Sequence, residues 1–208
     1  MKATPLPSAL LCFAMLLVFL SSCNNSEKKL PDGFCDCQDL KYSEGIWIDP
    51  QDEIFTGHCI TYFADGTRKG ASSFEQGLMH GTTRFYHENG IIREVVEYEK
   101  GVVNGVLTGF FPNESKEYQG EVVDGKKEGF WTNYFSNGVV ESIEKYENDV
   151  MQDSVTAFFS NGSLKMKGFY IDGKMEGQWT FYDSLSGQVD GHMMYSNDEA
   201  VEVTEEAE

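Results

Sequence analysis

One unit recurs along this chain every 24 residues, and it limits the fold more than any other feature. Glu128 to Gly138 reads EGFWTNYFSNG, with Gly129, Trp131, Tyr134 and an Asn137-Gly138 turn. A glycine column runs through positions 57, 81, 105, 129 and 177, with Asp153 in the remaining slot. An aromatic column runs unbroken through Tyr62, Tyr86, Phe110, Tyr134, Phe158 and Tyr182. A second glycine column lies at 77, 101, 125 and 173, with Asp149 substituting. Self-similarity at such a period is the signature of a repeat architecture, in which each copy buries its apolar face against the next.

Each copy divides into two short runs and two turns. The first run carries the glycine, an apolar slot two places on and the aromatic three further. Its Thr, Phe, Tyr, Trp and Val content suits a pleated strand. Asp-Gly or Asn-Gly follows in copies 1, 2, 4 and 5, the strongest local hairpin signal, and is expected to form a type I′ turn. The second run alternates. Leu164, Met166 and Tyr170 fall on one side and Lys165 and Lys167 on the other, while Ile92, Val96 and Tyr98 repeat the stripe. The expectation is an all-β fold, a linear array of about six 24-residue hairpins in one twisted antiparallel sheet of twelve strands. Trp131 and Tyr134 are an odd number of residues apart. Either a bulge intervenes or both sheet faces carry aromatics.

Five segments are expected. Residues 1–22 read as a signal peptide, because Lys2 precedes the apolar run Leu10 to Leu20, which is too short to span a membrane. The run ends in Leu20-Ser21-Ser22-Cys23, which resembles a bacterial lipobox; the resemblance implies cleavage before Cys23 and lipidation of its thiol. Residues 23–33 read as a lipidated tether and 34–53 as an N-terminal cap. Within the cap, Gly45-Ile46-Trp47-Ile48 suggests a strand and possible half-repeat, and Asp49-Pro50-Gln51-Asp52 a turn. The repeats occupy 54–197. Residues 198–208, dense in Asp and Glu, read as a disordered acidic tail.

The net charge of −18 disfavours nucleic acid and anionic lipid head groups, leaving a lipid anchor as the membrane contact. Cys35, Cys37 and Cys59 are too few for a four-ligand zinc site. Outside the cytosol a bridge from Cys35 or Cys37 to Cys59 is expected, with no metal. His58, His80, His87 and His192 read as turn and surface residues. No nucleophile–base motif appears, so neither catalytic residues nor a cofactor are expected. The candidate binding face comprises Tyr62, Tyr86, Phe110, Tyr134, Phe158 and Tyr182 with Trp131 and Trp179.

The pattern Gly-x-Trp-x-x-Tyr-x-x-x-Gly, followed by an aromatic and x-Asp-Gly, resembles the MORN-repeat variant of bacterial proteins. Its best copies are Asp124 to Gly138 and Asp172 to Tyr182. Many such chains are labelled YwqK-like antitoxins. The resemblance implies a stacked-hairpin sheet for protein contact, without catalysis. The function expected is a protein-binding or scaffold module anchored in the envelope, with an unidentified envelope protein as partner. An antitoxin or immunity protein acting at the envelope is the first alternative, and a carbohydrate-binding module or envelope hydrolase the second.

Overall fold

The computed structural model describes residues 30–201. Cys23, the apolar run before it and residues 202–208 lie outside them, and with them the expected signal peptide, lipidation site and most of the acidic tail. Among the described residues no helix is long and apolar enough to cross a membrane.

The strands in chain order are β1 (Phe34–Asp36), β2 (Lys41–Ser43), β3 (Ile46–Ile48), β4 (Gly57–Tyr62), β5 (Arg68–Glu75), β6 (Leu78–Met79), β7 (Gly81–Tyr86), β8 (Ile92–Glu99), β9 (Val102–Val103), β10 (Gly105–Phe110), β11 (Lys116–Val123), β12 (Lys126–Tyr134), β13 (Val140–Glu147), β14 (Val150–Phe158), β15 (Leu164–Ile171), β16 (Lys174–Tyr182), β17 (Val189–Ser196) and β18 (Glu199–Val201). From β4 to β17, twelve long strands lie side by side in chain order as an antiparallel meander, as the repeat predicts. The two-residue strands β6 and β9 pair back onto β5 and β8.

The glycine column exists because the backbone there turns left-handed. Gly129 has φ 67° and Gly177 φ 70°, a region that costs a side chain strain. Asp153 holds the same conformation at φ 65°. Aspartate tolerates it because its short carboxylate bonds locally, here accepting from the Ser154 amide at 2.7 Å. At each of these points the register with the preceding strand shifts, as between Gln119 and Glu121 opposite β12.

The turn chemistry differs from expectation. Type I′ geometry, with positive φ at both central residues, belongs to the connections between repeats: Lys100-Gly101, Asp124-Gly125, Asn148-Asp149 and Asp172-Gly173. At Asn137-Gly138 only Gly138 is left-handed, at φ 83°. The Gly138 amide donates to the Phe135 carbonyl and the Val139 amide to Asn137 Oδ1. This is a type I turn closed by one left-handed residue. Glu114, at φ 70°, takes the glycine's place in the irregular third copy.

The odd spacing is resolved by both sheet faces carrying aromatics, and the bulge lies in the partner strand. Opposite Asn133–Tyr134 the partner strand moves from Ser142 to Val140, leaving Glu141 as an extra residue. Arg93 and Lys165 are the extra residues in the equivalent places. β12 itself alternates regularly from Trp131 to Tyr134, so these two aromatics lie on opposite faces. The bulge also splits the stripe read from the second run. Leu164 pairs with Phe158, whereas Met166 pairs with Ala157, so Leu164 and Met166 face opposite ways. Ile92, paired with Tyr86, is likewise separated from Val96.

The cap carries part of the repeat, with Glu44-Gly45 at φ 50° and 89° forming the inter-repeat turn, but it leaves the main sheet. β2 and β3 form a separate two-stranded sheet, and the Asp52 amide closes the expected turn onto the Asp49 carbonyl. β1 instead pairs in parallel with β4 and covers the first edge of the array. Cys35, Leu40, Phe55, Cys59 and Phe74 pack there into a buried cluster against Trp47 and Met79. Cys37 is the cysteine bonded to Cys59, and Cys35 is buried beside them. At the far end, Glu199–Val201 pairs with β17 rather than belonging to a disordered tail, because Asn197-Asp198 repeats the inter-repeat turn.

Candidate functional site

The two sheet faces have different jobs. On one, which we call the tryptophan face, the slot two places after the glycine is buried: Cys59, Thr83, Trp131, Val155 and Trp179 are all at most 5% exposed. Trp131 stacks on Tyr118 and meets Tyr146 edge-on, and Trp179 meets Tyr170 and Tyr195 the same way. Lys127 Nζ lies 4.3 Å from the Trp131 ring centroid, closing it from solvent. Sizes are reciprocal across neighbouring strands. A Cβ added to Gly120 would lie 2.2 Å from Trp131, and one added to Gly168 2.1 Å from Trp179. Where the slot holds Thr83, Leu107 or Val155, the position eleven residues earlier holds a larger residue: Ser72, Val96 or Glu144.

Tyrosines and carboxylates pair on this face, whereas Thr83 Oγ1 and Trp179 Nε1 are buried without a hydrogen-bond partner. The Tyr118 hydroxyl donates to Glu94, and the Tyr146 hydroxyl donates to Glu144 at 2.9 Å. Burial, reinforced by these carboxylates, pushes both phenols well above their ordinary range. Glu144 also accepts from Ser142 and Asn133. These bonds hold one strand on the next. Trp131 and Trp179 therefore belong to the scaffold and leave the expected binding face.

The opposite face carries the aromatic column. Tyr62, Tyr86, Phe110, Tyr134, Phe158 and Tyr182 are all half-buried, and each pairs with a residue of the next strand on the same face. A continuous cross-strand row runs beside them through Val95, Thr108, Gln119, Thr132, Ile143, Thr156, Lys167 and Thr180. We call this the threonine face. Two hollows open along the stripe. One of about 390 Å³ is lined by Ile91, Ile92 and Phe110. The other, about 450 Å³, lies among Phe130, Ile143, Thr156, Phe158, Leu164 and Lys167. Phe130 is 63% exposed and Phe169 43%, so large rings stand in solvent beside the second hollow.

The histidines do not converge. His87 Nε2 donates to the Phe110 carbonyl at 2.8 Å, joining two turns. His192 Nδ1 accepts from Gln178 and Thr180, His58 bonds Ser73, and His80 lies 3.4 Å from Glu75. Among the described residues no group of three His, Cys, Asp or Glu is placed to hold a metal.

Sequence reasoning missed the asparagine ladder. Asn89, Asn113, Asn137 and Asn161 each donate from Nδ2 to a carbonyl of the next turn, on Pro112, Ser136, Ser160 and Ser184. The signal was present: a column of Asn, whose amide can donate and accept at once, where Asp can only accept.

Residues 79–100, which hold Gly81, Tyr86, Asn89-Gly90 and Tyr98, match the MORN repeat variant family. This is the second copy rather than the fourth or sixth. No curated protein matches the chain. Among solved structures, a mutant of TarM from S. aureus, in complex with Fondaparinux, alpha-GlcNAc-glycerol and UDP, is similar over 46% of this chain and 19% of its own, at 12% identity and a TM-score of 0.32. The chain thus spans about a fifth of that protein's length, and so slight a likeness carries no argument. Residues 79–100 match the MORN repeat variant, and a 24-residue period of glycines and aromatics runs along the all-β sheet that contains them.

Proposed function

We propose that this chain is an envelope lipoprotein, anchored through Cys23, whose repeat sheet binds another protein through the threonine face. One observation carries the binding reading: a half-buried aromatic stripe with two apolar hollows and exposed Phe130 and Phe169, on a face that the scaffold does not use. Aromatic anchors set in shallow pockets are the usual centres of protein interfaces. The sheet behind them is held by the tryptophan face, so the anchors are presented rigidly. The export reading rests on the lipobox-like Leu20-Ser21-Ser22-Cys23, and the Cys37–Cys59 disulfide suits an oxidising compartment.

The test is a pull-down from envelope extract with the lipid-free chain, beside Phe130→Ser and Phe169→Ser. A specific partner whose capture falls at least tenfold with the double variant supports the reading. Capture unaffected by it places binding elsewhere. Fatty-acid labelling of the wild type and its loss in Cys23→Ser test the anchor; no labelling in the wild type overturns it.

A further inference from the structure

Charge is divided between the two faces along the middle of the array. On the tryptophan face the twelve central cross-strand pairs, from Cys59–Ser72 to Phe181–Gly191, include Glu94 and Glu144 and neither lysine nor arginine. The twelve on the threonine face, from Ile60–Ala71 to Tyr182–Val189, hold no Asp or Glu, although the chain has 34 acids and a net charge of −18. They hold Arg68, Arg84, Lys116 and Lys167 instead, all exposed. Among the described residues none of these four is ion-paired with a carboxylate. Arg68 lies over the Tyr86 ring, and Lys116 Nζ donates to Gln119 Oε1. Acids return on both margins of this band. Asp65, Glu88, Glu114 and Asp183 are exposed in the turns on one side, and Glu97 and Glu121 are exposed on the other. Lys145, on that second margin, is already held by Asp153 and Glu147. At the capped end β1 brings Asp36 beside Ile60, so the acid-free stretch begins at Arg68.

We propose that this band takes an acidic segment of the partner protein, with apolar side chains between its carboxylates, lying across the strands. The proposal deepens the protein-binding reading of the same face and rests on it. Charge sets the sign of the segment. A carboxylate over Arg84 or Lys167 meets a cation that the protein's own acids leave unused, and the acids on both margins repel it from any other track. The net charge opposes approach, but at physiological salt it is screened within about 8 Å, so the contact pairs decide. Spacing selects a peptide over a continuous polyanion. Arg84 on β7, Lys116 on β11 and Lys167 on β15 are three and four strand steps apart. At about 4.8 Å per step these gaps are roughly 14 and 19 Å, or about four and six residues of extended chain. Phe110, Tyr134, Ile143, Phe158 and Leu164 stand in and beside them and line the two hollows. A segment with scattered carboxylates sets each kind of side chain against its complement. A nucleic acid or a uronate polymer would place a charge over the hollows at every unit.

The probe is a capped, fluorescent peptide of leucine and serine with three glutamates about four and six residues apart, the spacing of the cations. Its binding to the folded lipid-free chain is read by polarisation and is expected to saturate. The same peptide with lysine for glutamate, and an oligogalacturonate of equal charge, are expected to bind at least tenfold more weakly. Lys116→Glu with Lys167→Glu is expected to weaken the glutamate peptide at least tenfold. Lys126→Glu with Lys174→Glu makes the same change in net charge at the inter-repeat turns, outside the band, and is expected to change binding less than threefold. All four lysines are exposed, and unchanged melting temperatures check that both double variants fold. No binding of the glutamate peptide, equal losses in the two double variants, or tighter binding of the oligogalacturonate overturns the proposal. If the envelope partner is captured through Phe130 and Phe169 while Lys116→Glu with Lys167→Glu leaves both capture and peptide binding unchanged, the protein-binding reading stands and the acidic-segment proposal falls.

Discussion

Gly120 and Gly168 show how a single residue decides the packing of a one-layer sheet. Each leaves room for a tryptophan ring that a methyl group would penetrate, at 2.2 and 2.1 Å. Gly120→Ala should cost roughly 1–3 kcal/mol in denaturant melts, the range for overpacking a filled site. Gly191→Ala, where an added Cβ meets nothing within 4 Å, is the control and should change little. Equal losses would mean that Trp131 is not held against Gly120. Asp153 acts through charge. Its carboxyl is held below the usual range, first by the hydrogen bond from Lys145 at 2.9 Å and then by the Ser154 amide. A folded value below the unfolded one contributes stability above the unfolded pKa and loses it as pH falls through the folded one. The deficit of Asp153→Asn relative to wild type, read by urea melts, should therefore be present at neutral pH and vanish in acid. A deficit independent of pH would assign Asp153 a purely conformational role.

At the scale of the element, the turns do more than reverse the chain. Asn137 holds its own turn through Oδ1 and grips the next through Nδ2, at 2.8 Å from the Ser160 carbonyl. Asn137→Asp keeps the first bond and loses the second, and should cost about 1 kcal/mol. Thermal melts of Asn137→Asp against Asn137→Ala separate the two contributions; no loss for Asp would show that the ladder adds nothing. Gly138 is the only left-handed residue of that turn. Gly138→Val should cost about 1–2 kcal/mol, whereas Gly138→Asn, which tolerates this conformation, should cost less. Similar melting temperatures for the two would contradict the type I geometry.

The whole molecule is asymmetric. One end is closed by a parallel strand, an aromatic cluster and a disulfide, and among the described residues the other carries neither a disulfide nor a parallel strand. The Cys37–Cys59 bridge closes a separation of 22 residues, so its removal should cost about 3 kcal/mol by loop entropy. In a linear array each unit leans on its neighbours, so opening should start where one neighbour is missing. Amide exchange should be fastest in β16 and β17 in the oxidised protein. In a Cys37→Ser, Cys59→Ser variant, β4 and β5 should become as fast, with β11 to β13 still slow. Uniform exchange along the sheet would indicate one closed cooperative core rather than an array.

The sequence by itself determined the period, the twelve long strands of the array and their order, and the turn positions, because each depends on contacts within about 24 residues. Glycine and asparagine at fixed intervals report backbone conformation directly, so their columns were legible without coordinates. What only the tertiary structure decided is where the side chains go. An extra residue such as Glu141 or Lys165 sits in one strand of a pair and reverses the face of what precedes it, so Leu164 and Met166 part although they alternate in sequence. The division of the aromatics into a scaffold face with Trp131 and an open face with Tyr134 follows from regular alternation along β12, the bulge lying in β13. The choice of Cys37 over Cys35 follows from the path of β1 across the sheet edge. The parting of Leu164 from Met166 and the choice of Cys37 depend on how separate segments meet in space, and alternation along one strand carries no record of that.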